Sequence, residues 1–312
     1  VNETANTAFG DGFNALPLGS NRIIFGAGGS TITWDGGGSG DSWFTPGNWL
    51  GDVVPTSGDN VLITGAVTVN IDAGTASALT LTLGDEVNQS VLDISGSNVL
   101  DIYSTSATAL TVKNNSLVVL NNVNGINFNP GGAYTYDPTQ TSYENGSIVE
   151  YPTGSIHSDI YGKLLLTGAT GTSGAITTIT GLEQQSGTFT PSHAVTVNGD
   201  EFRTSGGSFN GDVTINTAVI KTNGGAFGSG TVTMSGAVAQ TINGTNNADF
   251  VNLTINNSNG VTLDTTVSVS TNLTLTSGIV NTEIDLLTSA SVTGGGTSSY
   301  IQGPLAITGA TG

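Results

Sequence analysis

The chain has 312 residues, of which 23 are Asp or Glu and five are Lys or Arg, so its net charge is −18 and only 9% of it is charged. A soluble domain ordinarily carries about a quarter. The five cations, Arg22, Lys113, Lys163, Arg203 and Lys221, are scattered along the sequence and offer no basic patch, which excludes nucleic acid and an anionic membrane as partners. Cys is absent, which removes disulfides, thiolate chemistry and Cys-based metal sites.

Disorder is also excluded, because 36% of the residues are apolar and they are interleaved with Thr, Ser and Asn rather than with charge. No apolar run approaches the ~18 residues of a membrane helix, so no membrane insertion is expected. Val1 stands where an initiator Met would, with no basic-then-apolar leader before it, and a processed, exported chain is the expectation.

Residues 1–30 are weakly patterned, with one apolar strand candidate at Arg22-Ile23-Ile24-Phe25. They read as an extended arm or assembly strand. Residues 31–60 hold all three tryptophans, Trp34, Trp43 and Trp49, around the glycine cluster 36–40, and read as a cap. From residue 61 the period is two. Val61-Leu62-Ile63, Val67-Thr68-Val69-Asn70-Ile71 and Leu79-Thr80-Leu81-Thr82-Leu83 alternate apolar and polar residues, as strands with one buried face do. The same holds at 213–215, 232–234, 253–255, 261–263 and 273–275. Gly, Asn, Asp and Ser fill the gaps as turn residues. No segment has convincing helical amphipathicity.

Two stretches repeat one order of elements. Gly146 to Tyr151, then Ile156, then Tyr161 to Leu166 match Gly230 to Ser235, then Ile242, then Phe250 to Ile255. Repeats that cannot close their own cores stack on neighbours. The expected fold is all-β, a parallel β-helix or β-solenoid over residues 61–312 with about 20–25 residues per turn. Tandem β-sandwiches are the alternative. In-register stacking also accounts for the missing charge, because like charges repeated every ~4.8 Å would repel.

The stretch Trp34-Asp-Gly-Gly-Gly-Ser-Gly-Asp-Ser-Trp43, with Asn48-Trp49, Pro55 and Gly58-Asp59-Asn60-Val61 after it, resembles a motif of large exported bacterial β-strand-repeat surface proteins. The segments 230–234, 240–242, 250–257, 260–263, 272–278 and 298–305 are similar to repeats of Gram-negative secreted surface proteins. Together the likenesses cover about half the chain. They imply a β-helical fold, an extracellular location and a structural or adhesive role, with no catalytic residues.

The chemistry-bearing residues point the same way. The three Trp are either cap filling or a glycan-contact platform, and capping is the favoured reading because every solenoid end needs it. Gly37-Gly38-Ser39-Gly40-Asp41 falls one residue short of a repeated calcium turn. Asp35, Asp41 and Asp59 remain weak calcium candidates, and Asp52, Asp72, Asp85 and Glu86 could supply further turn oxygens. No cofactor other than calcium is a candidate. His157 and His193 each have Ser neighbours, but no nucleophile elbow, zinc-binding helix or phosphate loop is present. Thr-x-Thr triplets at 31–33, 80–82, 231–233 and 274–276 suggest a water-ordering ladder, but their spacing is not constant. The sequons at Asn88, Asn114, Asn145, Asn243, Asn252, Asn256 and Asn272 follow from composition.

The expected function is therefore non-enzymatic. The chain reads as an extracellular subunit of a filament, sheath or surface layer, its partner being a second copy of itself joined by strand addition or end-to-end stacking. A monomeric adhesin or glycan-binding module is the alternative, and a carboxylate-based glycoside hydrolase the third reading.

Overall fold

The computed structural model describes residues 29–122, 124–128, 130, 135–153, 155–157, 159–168, 171–172, 178–199 and 201–308, and the backbone of 13–14 and 24–25. The described chain is a parallel β-solenoid, in two compact units, residues 1–147 and 148–312. Its only described helical pieces are the 3-10 turns Pro46–Asn48 and Pro138–Gln140.

In the first unit the chain visits three sheets in turn. Thr31–Thr33, Asn60–Ile63, Thr80–Leu83, Leu110–Val112 and Thr141–Tyr143 stack in parallel as one. Val67–Ile71, Ser90–Ile94 and Leu117–Leu120 form the second. Thr75–Ala78, Val99–Ile102 and Ile126–Phe128 form the third. The alternation read from the sequence becomes in-register columns. Val61, Leu81 and Leu110 stack inward on one side, Val69, Leu92 and Val118 on the next, and Ala76, Leu100 and Ile126 on the third. All nine are buried.

Outward columns of the same sheets mix Thr, Ser and Asn with Val and Leu and are mostly uncharged. Where a carboxylate does occur, an amide from the next rung meets it. Asn121 Nδ2 donates to Asp93 Oδ1 at 3.1 Å, and Asn127 Nδ2 to Asp101 Oδ1 at 2.9 Å. Asn can stack on Asp where a second Asp would repel it.

In the second unit, Val195, Val213, Val232, Leu253 and Leu273 form one inward column, which Val292 continues in register at 43% exposed. Phe189, Phe202, Phe209, Phe227 and Phe250 fill another part of the core. Phe227 is stacked between Phe202 at 5.7 Å and Phe250 at 4.6 Å, each pair inclined by 24°. The internal repeat has a simple structural meaning. Its Leu-bearing strand lies one rung beyond its first strand in both copies, with Leu164 on Val149 and Leu253 on Val232. The lone Ile of each copy, Ile156 or Ile242, is buried.

The coils are less uniform than 20–25 residues. Val61 stacks on Leu81, 20 residues later, but Leu81 stacks on Leu110, 29 later. In the second unit Val149 stacks on Leu164, only 15 later, and Thr233 on Thr254, 21 later. Corner turns of different length absorb the difference while the strands keep register. Gly278 shows how close two rungs come at such a place: its φ is +95°, and a Cβ there would run into the carbonyl oxygen of Asn257.

Candidate functional site

The Trp motif forms a closed knot. Thr31–Thr33 pairs with Asn60–Ile63, and residues 34–59 are an excursion between these two strands. Trp34 and Trp49 meet edge to face at 5.0 Å, and Trp43 meets Trp49 at 4.8 Å. Trp49 Nε1–H donates to the Trp43 carbonyl at 2.7 Å. The three rings are 5%, 0% and 1% exposed for Trp34, Trp43 and Trp49, respectively. They therefore fill the cap core and present no open face on which a sugar could stack, which moves any glycan contact off these rings.

Asn48 is the residue that ties the glycine run to this knot. It is fully buried. Its Oδ1 accepts the Gly38 N–H at 3.0 Å, and its Nδ2 donates to the Gly40 and Ser42 carbonyls at 2.9 and 3.1 Å. A Cβ on Gly38 would lie 2.7 Å from Asn48 Oδ1 and 2.9 Å from the Gly47 carbonyl carbon. The Asn-Trp pair in the sequence marked this residue, but its clamping role is set by the fold.

The calcium candidates do not gather. Asp35 accepts the Gly37 N–H within its own turn at 3.0 Å. Asp41 is exposed, and its backbone carbonyl takes the Asn70 N–H. Asp59 is buried with its carboxylate committed inside the protein: Ser30 Oγ and Thr56 Oγ1 donate to it at 2.7 Å each, and the Thr56 N–H at 3.0 Å. Asp85 is likewise a turn staple. The N–H groups of Asn88 and Val87 hold its carboxyl down to about 2. Among the described residues no three His, Asp or Glu side chains form a metal-sized group.

Arg22 and Ile23 lie outside the described residues. The backbone of Ile24–Phe25 pairs antiparallel with Phe13–Asn14.

His157 is buried near Tyr151 and Tyr161, whose hydroxyls lie 3.0 Å apart. Tyr151 Oη accepts the His157 N–H at 3.3 Å, and Tyr161 Oη–H donates to the His157 carbonyl at 2.8 Å. Burial pushes the Tyr151 phenol well above its ordinary value. His193 sits on an exposed turn with Ser192 Oγ 3.0 Å from its Nδ1, and no described carboxylate orients the ring. Asp264, Glu283 and Asp285 line one open cleft of the second unit beside Thr265 and Thr282.

Two surfaces of the second unit are ordered by stacking. Thr196, Thr214, Thr233, Thr254, Thr274 and Thr293 form one six-rung outward column. Their sequence spacing varies, yet they are in register. The strand Leu305–Thr308 stacks on Ile284–Leu287. Leu305 and Ile307 are 46% and 65% exposed, although the residues beneath them, Ile284 and Leu286, are 0% and 4% exposed.

No family model, curated protein or solved structure matches the chain.

Proposed function

We propose that the chain is a non-enzymatic extracellular structural protein, a subunit of a filament, sheath or surface layer. The observation that carries this reading is the in-register stacking of parallel strands, whose inward columns any further strand of the same alternation can extend, as Leu305–Thr308 extends that of Ile284–Leu287. Leu305 and Ile307 continue inward columns that are buried one rung earlier. A parallel strand with the same alternation, supplied by a second copy, can lie on that rung, taking up its backbone groups and covering both side chains. A head-to-tail contact of this kind propagates when it does not close into a ring. The likeness of the Trp motif and C-terminal repeats to exported surface proteins supports the same reading. The segment 1–30 is the proposed incoming piece, with Arg22, Ile23, Ile24 and Phe25 at its centre. At −18 per subunit, assembly should require salt or calcium to screen repulsion.

Electron microscopy of the purified chain, with and without calcium, tests the proposal. Polymers are expected from the intact chain. None are expected after deletion of residues 1–30 or in Ile307→Glu, with β-rich circular dichroism retained in both. Unchanged polymers from both variants, or a monodisperse monomer of the intact chain in every salt condition, overturn it.

A further inference from the structure

A groove of about 310 Å³ opens on the first unit. Trp43 and Phe44 of the cap excursion form one wall, Thr75 and Ser77 another, and Tyr103 stands at the rim. We propose that this groove binds a neutral saccharide.

Three features of its lining select that chemistry. The first is ring surface. Tyr103 is 37% exposed and Phe44 is half-buried, so both retain apolar area that a sugar's C–H face can cover. The second is unused hydrogen bonding. Among the described residues, no protein group bonds the hydroxyls of Thr75, Ser77 or Ser57, all three of which line the groove. The third is charge. No charged side chain lines the groove, although the chain as a whole is at −18. Two carboxylates adjoin the lining, and both are engaged: Asp59 accepts from Thr56 Oγ1 at 2.7 Å, and Asp101, one rung beyond Ser77, accepts from the Asn127 amide at 2.9 Å. A phosphate- or carboxylate-bearing ligand would find no cation here and would face a net-negative protein. A neutral ring with an apolar face and a rim of hydroxyls finds both of its requirements met.

This site is separate from the rung proposed for assembly, and it does not depend on polymerisation. The Trp motif takes part through Phe44, while its three indoles stay buried.

The test is titration calorimetry of the full chain against the hexaoses of glucose, mannose and xylose, with hexagalacturonate as the acidic control. Binding of at least one neutral hexaose is expected, with hexagalacturonate at least tenfold weaker. Tyr103→Ala should weaken binding about tenfold, equivalent to about 1.4 kcal/mol, and Ser77→Ala should weaken it measurably. Tyr103 is exposed, so its removal leaves the core intact, and unchanged circular dichroism checks this. No heat with any neutral hexaose, undiminished binding by Tyr103→Ala, or equal binding of hexagalacturonate overturns the proposal.

Discussion

Lys221 Nζ lies 2.9 Å from Glu201 Oε2, while the other oxygen of the same carboxylate is 2.7 Å from Arg203 Nη2. The pair resolves a conflict built into the fold. Arg203 and Lys221 stand directly opposite each other on adjacent rungs, where two like charges repel. Glu201, one outward position away on the Arg203 strand, takes both. Glu183 faces Arg203 from the rung before and is 3.4 Å from Lys163 Nζ. Three of the five cations of the chain thus lie within four successive rungs of one sheet, with Glu183 and Glu201 among them.

Glu201→Gln should therefore destabilise the second unit more than an ordinary exposed charge swap. It leaves two stacked cations with no shared counter-ion. Lys221 is more than a third exposed, so solvent screening holds the expected loss to about 1 kcal/mol, read as a lower urea midpoint. The pH dependence has a definite sign. Burial pushes the Glu201 carboxyl up, but Lys221 and Arg203 together outweigh it and hold it below its ordinary value of 4.5. The stabilisation is complete above pH 4.5 and is lost as pH falls further and the folded carboxyl takes a proton. Urea midpoints of the two proteins should differ at pH 7 and converge toward pH 2.

Phe227→Ala should be among the most costly core substitutions. Its ring lies between Phe202 and Phe250 and belongs to the only run of near-parallel aromatic stacking among the described residues. Removing it leaves a cavity flanked by rings that cannot close the gap without leaving register. The expected loss is about 3–5 kcal/mol, measured by urea unfolding. Phe227→Leu should recover more than half of it.

The strands were legible because alternation is a local property. Val61, Ile63, Leu81 and Leu83 face inward as their period-two pattern requires, and both copies of the internal repeat stack as their order of elements implies. Which residues stack on which was not legible, because coil lengths differ and only the corners know by how much. This is why Lys163, Arg203 and Lys221 read as scattered and turn out to lie within four successive rungs of one sheet. It is also why triplets at uneven spacing hide a continuous column from Thr196 to Thr293. The cap was half legible. The Trp and Gly pattern announced a special structure, but ring burial depends on Asn48 folding the glycine run back, which no spacing rule reveals. The groove beside it was illegible, since Phe44, Ser77 and Tyr103 belong to three different turns of the chain.

Gly278→Ala should disrupt the rung it sits in. The residue has a φ of +95°, a region that L side chains rarely adopt, and a Cβ there would overlap the Asn257 carbonyl oxygen. Neither group is the end of a flexible side chain, so backbone must move. The Gly278 N–H also bonds the Ser298 carbonyl at 3.0 Å, and the Asn257 N–H bonds the Ser277 carbonyl at 3.1 Å. Both contacts would be strained together. A loss of at least 2 kcal/mol is expected from strain and overpacking combined. Hydrogen exchange should show faster exchange around 257–260 and 277–280 than at Val195–Val197. Gly296→Ala is the control, because nothing lies within 4 Å of a Cβ built there.

Lys113 ties two turns of the first unit together through charge. Its Nζ reaches two carboxylates from different turns, Glu144 at 2.7 Å and Glu86 at 3.2 Å. Glu144, followed by Glu86, raises the Lys113 ammonium above its ordinary value of 10.5. The same ammonium, with the Asn114 N–H, holds the Glu144 carboxyl below 4.5. A cation whose folded value is raised contributes fully below its unfolded value and loses the contribution as pH rises through the folded one. A carboxylate whose folded value is lowered does the reverse at the acid end. The tie therefore acts across the plateau between pH 4.5 and 10.5 and fails outside it. Lys113→Met should lower the melting temperature at pH 7 and at pH 9 by the same amount. Above pH 10.5 the two proteins should melt progressively closer together as pH rises through the raised folded value. A difference that stays constant across that rise would assign the effect to packing of the lysine stem instead of to its charge.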